Sequence, residues 1–144
     1  MKNNQVNLSK YNNSWYQPAG TVKKTIWYFT NMFVFKTMLP IPSSIKVKVL
    51  RFFGAKVGNG VVIKPNVNIK YPWLLEIGDF TWIGEDVWID NLAKITIGKN
   101  CVLSQGSFLL CGSHDYTLET FDLLTKSIVL EDGSWVGAKA TVCP

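Results

Sequence analysis

The residue most suited to chemistry in this sequence is His114, the single histidine, which is followed by the carboxylate of Asp115. A neutral imidazole accepts a proton near neutral pH, so His114 is a candidate general base for an attacking hydroxyl. Asp115 is a candidate to orient or polarise that imidazole. A backbone carbonyl, or a carboxylate from elsewhere such as Asp90, is an alternative. With one histidine in the chain, no histidine-based metal site is predicted.

A six-residue repeat must form the scaffold that positions His114. Six residues per step would turn a helical face by about 240° out of phase, which excludes a helix. Three short strands joined by tight turns would instead point every repeated aliphatic into a triangular prism. The first three groups begin at equal intervals, at Val57, Ile77 and Ile97, which argues against chance spacing in a sandwich. The repeated aliphatics are Val57, Ile63, Ile69, Ile77, Ile83, Ile89, Ile97, Leu103, Leu109, Leu130, Val136 and Val142.

Two further sets of residues keep the phase of the repeat. Glycines follow the aliphatic at several steps, where we expect a backbone conformation costly for a residue with Cβ: Gly58, Gly78, Gly84, Gly98 and Gly137. Small or branched residues stand two positions before the aliphatic and should also face inward: Val61, Val67, Thr81, Val87, Cys101, Ser107, Ser134 and Ala140. Successive turns should stack at about 4.8 Å, the spacing of hydrogen-bonded strands.

His114 lies in the one large interruption of this repeat. In the earlier turns the aliphatic that closes a turn follows the previous one after a single step, as Leu75 follows Ile69 and Ile95 follows Ile89. The interval from Leu109 to Ile128 is far longer than such a step. The excess predicts a His-bearing loop at 110–127, and loops on a rigid scaffold commonly carry reactive groups.

The residues before the repeat predict two further parts. Residues 1–21 are polar and read as an extended arm, and residues 22–54 as a basic amphipathic helical segment. A first helix is expected from Val22 to Leu39, ended by Pro40 and Pro42. A second helix would be capped by Ser43 or Ser44 and closed by Gly54. One apolar face is expected for it, formed by Ile45, Val49, Phe52 and Phe53.

Several stretches resemble a known family. The steps 57–62, 77–82 and 83–88 resemble the [LIV]-G-x-x-x-x repeat of left-handed β-helix acyltransferases, and the stretches 71–79 and 112–117 resemble, more narrowly, colanic acid acetyltransferases. The resemblance runs from about residue 22 to the end. It implies an all-β, left-handed parallel β-helix over 55–144 after a helical segment. The handedness rests on the resemblance, since most parallel crossovers are right-handed.

The resemblance also implies a function and a set of site residues. It implies a homotrimer with active sites between subunits, an acetyl-CoA donor, and a saccharide or lipid-linked saccharide acceptor in exopolysaccharide biosynthesis. His114 would be the general base of O-acetylation. Residues 135–138 resemble the family's W-[IV]-G-[SA] step, which makes the main-chain N–H of Ala138 an oxyanion donor next to Gly137. Trp135 would line the donor or acceptor channel, or pack on the outer face. Trp82, Trp88 and Tyr116 are candidates to stack on a sugar ring. The expected acceptor-binding residues are Asp90, Trp88 and Tyr116.

Basic and acidic residues are divided between the two halves of the chain. Residues 1–75 hold eleven Lys or Arg and no acid, whereas residues 76–144 hold four Lys and ten acids. The first half should therefore meet an anionic partner. The candidates are a membrane surface, a lipid-linked diphosphate and the phosphates of CoA. Nucleic acid is not predicted, because no nucleic-acid motif accompanies the charge.

The sequence also predicts a location. Cys101, Cys111 and Cys143 form no CxxC pair, which favours reduced thiols in a cytoplasmic protein. The start lacks the apolar core of a signal peptide, and the apolar run from Thr25 to Phe35 is too short to span a bilayer. The basic segment would either place the protein at the inner face of the membrane or cap the open end of the prism.

Alternative interpretations remain at this point. The sequence stops at Pro144, partway through a fourth turn, whereas family members continue, so an incomplete domain is expected and CoA binding is in question. A non-catalytic trimeric scaffold or membrane-docking fragment is one alternative. An acetyltransferase for another small acceptor, such as serine or an amino sugar nitrogen, is a second. A γ-class carbonic anhydrase is excluded, because its zinc needs three histidines.

Overall fold

Short parallel strands follow the six-residue steps in a computed structural model, which describes residues 5–144. Strands of two or three residues alternate with two-residue turns, and three strands make one coil of a three-sided prism. The strands, in chain order, are β1 (Lys56–Val57), β2 (Val62–Ile63), β3 (Asn68–Ile69), β4 (Leu75–Ile77), β5 (Trp82–Ile83), β6 (Trp88–Asp90), β7 (Ile95–Ile97), β8 (Val102–Leu103), β9 (Phe108–Leu110), β10 (Gly112–His114), β11 (Leu123–Thr125), β12 (Ile128–Leu130), β13 (Trp135–Val136) and β14 (Thr141–Val142).

Each side of the prism is one parallel sheet, in the orders β1-β4-β7-β12, β2-β5-β8-β13 and β3-β6-β9-β14. The register follows the repeat, since Val57 pairs with Ile77, Ile77 with Ile97, and Ile97 with Leu130. The parallel β-helix predicted from the spacing is therefore confirmed. Between β9 and β12 the chain leaves the prism and forms the antiparallel hairpin β10–β11.

The core is the column of side chains inside the prism. The repeated aliphatics from residue 57 to Val136 are buried, and Val142 is half-buried. Thr81, Cys101 and Ser107 are also completely buried, as the inner position of the second set requires. In the last coil Ser134 is half-buried and Ala140 is exposed, because within the described chain no strand stacks on β13 or β14.

The repeat glycines are required for a reason other than the one expected from sequence. Left-handed φ values occur instead at the second residue of each turn, as at Asn66, Phe80 and Asn100, and not at Gly78 or its equivalents. A Cβ at Gly78 would lie 2.6 Å from the carbonyl carbon of Gly98 and 2.6 Å from the nitrogen of Lys99. The expectation of a costly conformation is therefore wrong. The close stacking of one coil on the next excludes a side chain at Gly58, Gly78, Gly84 and Gly98, whereas nothing lies within 4 Å of a Cβ at Gly137.

Two helices and a short π-helix precede the prism. Helix α1 spans Thr21–Thr30, the π-helix spans Asn31–Phe35, and α2 spans Ser43–Phe52. Short 3-10 turns lie at Leu8–Lys10 and Pro72–Leu74. No helix in the described part of the chain is long and apolar enough to cross a bilayer.

The buried face of α2 differs from the prediction. Ile45 and Phe52 are exposed, whereas Lys46, Val47 and Leu50 are buried; Val49 and Phe53 pack partly against the core. A hydrogen bond explains why Lys46 is buried. Lys46 Nζ donates to the carbonyl of Lys64 at 2.8 Å, and burial lowers the pKa of that amine. The predicted serine cap is also absent, since Ser43 instead bonds to Ile63.

The helical segment hydrogen-bonds to the free edge of the first coil on all three sides. Arg51 donates to the carbonyl of Val57 at 2.7 Å. Ser43 Oγ accepts from the backbone N–H of Ile63 at 2.9 Å, and Trp27 Nε1 donates to the carbonyl of Ile69 at 2.9 Å. These side chains occupy backbone groups of β1, β2 and β3 that would otherwise attract another strand.

Candidate active site

The hairpin that carries His114 leaves the prism at the corner after β9. The two ends of the hairpin are joined by a hydrogen bond from Lys126 N to the carbonyl of Cys111 at 3.0 Å. His114 pairs with Leu123 across the hairpin. The segment predicted as a loop thus contains a regular antiparallel pair, and that pair fixes the position of the His114 backbone.

Two contacts from Phe121 orient the imidazole of His114. Nδ1 lies 3.0 Å from the carbonyl oxygen of Phe121, and the two rings stack with centroids 4.3 Å apart. Because a carbonyl oxygen can only accept, this contact places the ring proton on Nδ1 and leaves the lone pair of Nε2 free. Phe121 has a φ of 51°, a left-handed conformation that a residue with Cβ rarely adopts.

Asp115 has a different environment from the one considered for it. Its Oδ1 accepts from the backbone N–H of Thr117 at 2.9 Å and from the Thr117 hydroxyl at 2.6 Å. These hydrogen bonds hold the pKa of the carboxyl below its usual value. Of the orienting groups considered from sequence, the group at Nδ1 is therefore a backbone carbonyl, and Asp115 shapes the turn of the hairpin.

The N-terminal arm lies over the hairpin, which the sequence did not indicate. The rings of Tyr11 and His114 have centroids 5.6 Å apart. The backbone N–H of Asn7 donates to the carbonyl of Glu119 at 2.9 Å, and Lys10 Nζ lies 2.7 Å from Glu119 Oε1. The only signal in the sequence is the presence of aromatic residues in an otherwise polar arm.

The corner below the hairpin is buried and polar. Asp90 Oδ1 pairs with Lys70 Nζ at 3.0 Å and not with His114. Buried Asn91 donates to the carbonyl of Tyr71 at 2.6 Å and accepts from its N–H at 2.9 Å. Tyr16 Oη donates to the carbonyl of Leu92 at 2.6 Å. Burial raises the pKa of Tyr16, and the charges of Tyr71 and Asp90 raise it further.

The thiol at this corner is not arranged for nucleophilic chemistry. Burial raises the pKa of Cys111, and its Sγ lies 3.7 Å from the carbonyl of Ala93. A reactive cysteine needs an accessible thiolate, which this environment disfavours. Within residues 5–144 no group of three or more His, Cys, Asp or Glu side chains could hold a metal ion.

The candidate aromatic residues lie on different sides of the prism. Trp88 stacks on Phe108 at 4.8 Å in the sheet that contains β3 and β6, and it lines a cavity of about 700 Å³ beneath α1. Trp82 and Trp135 lie in the sheet that contains β5 and β13. Tyr116 is exposed in the hairpin turn. One chain does not bring these rings into one cleft.

The residues expected to hold the donor are also remote from His114 within one chain. Trp135 is exposed, and its Nε1 donates to Ser104 Oγ at 2.8 Å. Gly137 and Ala138 form the exposed turn between β13 and β14, a corner away from the one where the hairpin leaves. No hydrogen bond from the Ala138 N–H is found within the described chain.

Comparisons with known proteins agree with this fold. No family model matches the chain. The chain is 36% identical to WcaF of Escherichia coli (strain K12), named as a colanic acid biosynthesis acetyltransferase. The alignment spans 129 residues, which are 90% of this chain and 71% of WcaF. A hexapeptide-repeat acetyltransferase of Vibrio cholerae, VCA0836, superposes with a TM-score of 0.73 at 20% identity, covering 85% of this chain and 69% of that one.

A second structure of VCA0836 was solved in complex with acetyl coenzyme A. It superposes with a TM-score of 0.64 at 18% identity, and covers 83% of this chain and 72% of that one. The superpositions support the fold, and the identity with WcaF over most of both chains supports the family. The chain shares the left-handed parallel β-helix fold of the hexapeptide-repeat acetyltransferase VCA0836, and it belongs to the family of acetyltransferases that includes WcaF.

Proposed function

We propose that this protein is an O-acetyltransferase that moves the acetyl group of acetyl-CoA to a saccharide hydroxyl. The observation that carries the proposal is the contact between His114 Nδ1 and the Phe121 carbonyl, which leaves Nε2 ready to accept a proton. WcaF is named for colanic acid biosynthesis, and a fold relative was solved with acetyl coenzyme A. The proposed acceptor is accordingly a saccharide or lipid-linked saccharide on the route to an exopolysaccharide.

In the proposed reaction the acceptor oxygen attacks the thioester carbonyl carbon while its proton moves to His114 Nε2. The carbon–sulfur bond then breaks and the ester forms. The departing sulfur of CoA takes the proton from His114 Nε2 and leaves as the thiol. The free backbone N–H of Ala138 would stabilise the negative charge that develops on the carbonyl oxygen. Losing one such donor typically costs about 10²- to 10³-fold in rate.

The separation of these two groups supports a homotrimer with shared sites. His114 and Ala138 lie at different corners of one prism, so a neighbouring subunit must supply one of them if both act on the same thioester. Tyr116 and Trp88 remain proposed contacts for the acceptor ring. Their exposed faces offer the apolar surface that sugar rings stack on.

The test of the catalytic base uses two substitutions of His114. His114→Ala should lower turnover by roughly 10²- to 10⁴-fold in an assay of CoA thiol release. His114→Asn should be equally slow, although its amide retains a donor for the Phe121 carbonyl and should keep the thermal midpoint near that of wild type. Turnover within threefold of wild type in either variant would remove His114 from the mechanism.

The oxyanion donor has a test that leaves the side chains of the site intact. Pro65 occupies the turn position in the first coil that Ala138 occupies in the last, so the backbone there accepts proline. Ala138→Pro should therefore keep the fold, remove the N–H and slow turnover by about 10²-fold. Glu85→Pro, at the same turn position in the second coil, is the matched control and should remain active. Unchanged turnover in Ala138→Pro would exclude this N–H as the donor.

The same variants test the shared site. Each of His114→Ala and Ala138→Pro is inactive alone, but a site formed between subunits can draw one intact group from each. An equimolar mixture assembled at random should regain about a quarter of the wild-type activity, and isolated mixed trimers about a third. No recovery in verified mixed assemblies would place both groups in the same subunit or exclude one of them.

A further inference from the structure

Helix α1 and the π-helix that follows have two apolar faces, of which the prism covers only one. The covered face carries Trp27 and Phe35, which are buried, and Asn31, which bonds to Asn68. The other face is a stripe of large apolar side chains at spacings of four, three and four residues. This outer stripe consists of Val22, Ile26, Phe29 and Phe33, and each member is at least half exposed.

Single exposed apolar side chains are ordinary on protein surfaces, but a continuous row of them along three turns of helix is not. The row does not contribute to the prism core, because its members lie opposite Trp27 and Phe35. The chain after the π-helix adds Met38 and Leu39, which are also mostly exposed. The whole N-terminal segment therefore presents apolar surface that the described chain leaves uncovered.

The charge around the outer stripe has one sign. Lys23 borders it on α1 and Lys36 follows the π-helix, while Lys24 lies on the side of α1 that lines a cavity. No acid precedes Glu76 in the chain. Neither Lys24 nor Lys36 forms an ion pair within the described residues. Lys23 lies over the ring of Trp73 at 4.5 Å. Apolar side chains bordered by unpaired lysines are the composition of helices that lie in a membrane interface.

A cavity of about 700 Å³ opens beside the outer stripe and combines the same two properties. Lys24 and Lys36 line it, and so does Lys70, whose amine pairs with Asp90. Tyr28, Phe29 and Met32 contribute apolar surface. Such a cavity fits an amphiphile with an anionic headgroup, the amines meeting the phosphate and the apolar wall meeting the chain beneath it.

We infer that the outer stripe is a membrane-docking surface that enters the headgroup region of a bilayer rich in anionic phospholipids. A stripe-to-stripe contact with a second copy is a poorer alternative, because it would bring the lysines of both copies together with no acid between them. The inference goes beyond the proposed acetyl transfer and does not depend on it, since the outer stripe contains none of the residues proposed for that reaction; of those residues, Trp88 lines the neighbouring cavity.

The test is co-sedimentation of the full chain with vesicles of pure phosphatidylglycerol and of pure phosphatidylcholine. We expect binding to the first, weaker binding to the second, and loss of binding at high salt. Ile26→Ser/Phe29→Ser/Phe33→Ser should weaken binding to phosphatidylglycerol by roughly tenfold or more. Lys24→Gln/Lys36→Gln should weaken it by roughly 30-fold at low salt.

Matched controls distinguish this surface from apolar or basic residues in general. Leu8→Ser/Leu124→Ser/Val129→Ser removes three side chains of similar exposure elsewhere, and Lys99→Gln/Lys126→Gln removes two exposed lysines from the acidic half. Both controls should bind as wild type does. Equal loss in a control, or no binding of wild type at low salt, would overturn the inference. A changed oligomeric state of the stripe variant in light scattering would also overturn it and assign the stripe to a second copy.

Discussion

In the wall of the prism every strand pairs in parallel with the equivalent strand of the next coil, whereas the hairpin β10–β11 pairs antiparallel and stacks on no other coil. The wall buries an aliphatic at each step, while the hairpin buries only Leu123. Position in the wall is thus set by repetition. Position in the hairpin is set by individual contacts, from Phe121 beneath the imidazole and Tyr11 above it. Substitutions in the two regions should accordingly affect different quantities.

The largest effect is expected in the wall, from Gly78→Ala. The new Cβ would meet backbone atoms of the next coil at 2.6 Å, so the coils must separate, and we expect about 3 kcal/mol less free energy of unfolding. Gly137→Ala is the control at the same repeat position, where nothing lies within 4 Å. It should be neutral or stabilising by about 0.5 kcal/mol. Urea denaturation measures both, and equal effects would contradict the close-stacking explanation.

An intermediate effect is expected from Tyr11→Ala, in the part of the N-terminal arm that contacts the hairpin. Loss of the ring that contacts His114 should let the imidazole turn and lower turnover by roughly tenfold, because small misplacements of a catalytic group are costly. The free energy of unfolding should change by less than about 1 kcal/mol, since Tyr11 is only half-buried. Tyr11→Phe keeps the ring and should keep the activity. Wild-type turnover in Tyr11→Ala would show that the arm does not position the base.

The smallest effect is expected from Glu76→Gln, in the wall. Glu76 Oε1 lies 2.7 Å from Lys56 Nζ and 3.0 Å from Lys94 Nζ, and these hydrogen bonds hold the pKa of the carboxyl below its ordinary 4.5. Its stabilisation is therefore present above that value and is lost as the pH falls through the lowered pKa of the folded state. The partly exposed pair should contribute less than about 1 kcal/mol.

The measurement for Glu76→Gln is the free energy of unfolding relative to wild type as a function of pH. The difference should be present at neutral pH and disappear in acid, while turnover at neutral pH stays unchanged. A difference that persists in acid would show that the side chain stabilises the wall by packing instead of by charge. A stability effect without an activity effect is the reverse of the result expected for Tyr11→Ala.

The wall is more predictable from the sequence than the hairpin is, for a physical reason. A repeated aliphatic such as Ile77 or Ile97 indicates a buried, inward-facing position, because each coil packs on the next in the same register. The contact of Asn7 with Glu119 joins residues far apart in a non-repeating part, and neither residue type indicates it. The Phe121 carbonyl at His114 is a backbone group, which side-chain identity cannot reveal.

The same limit explains the errors at the N-terminal helices. Hydrophobic periodicity assigned Ile45 and Phe52 to the core, but the fold places Lys46 there because the edge of the first coil needs hydrogen-bond donors. Apart from Gly137, the repeat glycines are constrained positions, as the sequence predicts, but the predicted cause, an unusual backbone conformation, is wrong. Their φ values are ordinary, and the restriction comes from a neighbouring coil that sequence alone does not display.

The hairpin is inserted without shifting the wall. Ile95 pairs with Ile128 in the same register as it does with Leu75, although the chain from Ile95 to Ile128 is longer by the whole hairpin. The hydrogen bond between Lys126 N and the carbonyl of Cys111 joins the two ends of the hairpin. The stack of coils is therefore indifferent to the length and composition of what projects between those two residues. Residues 112–125 can therefore change in length without altering the shape of the scaffold, provided that the contacts between Phe121 and His114 are kept.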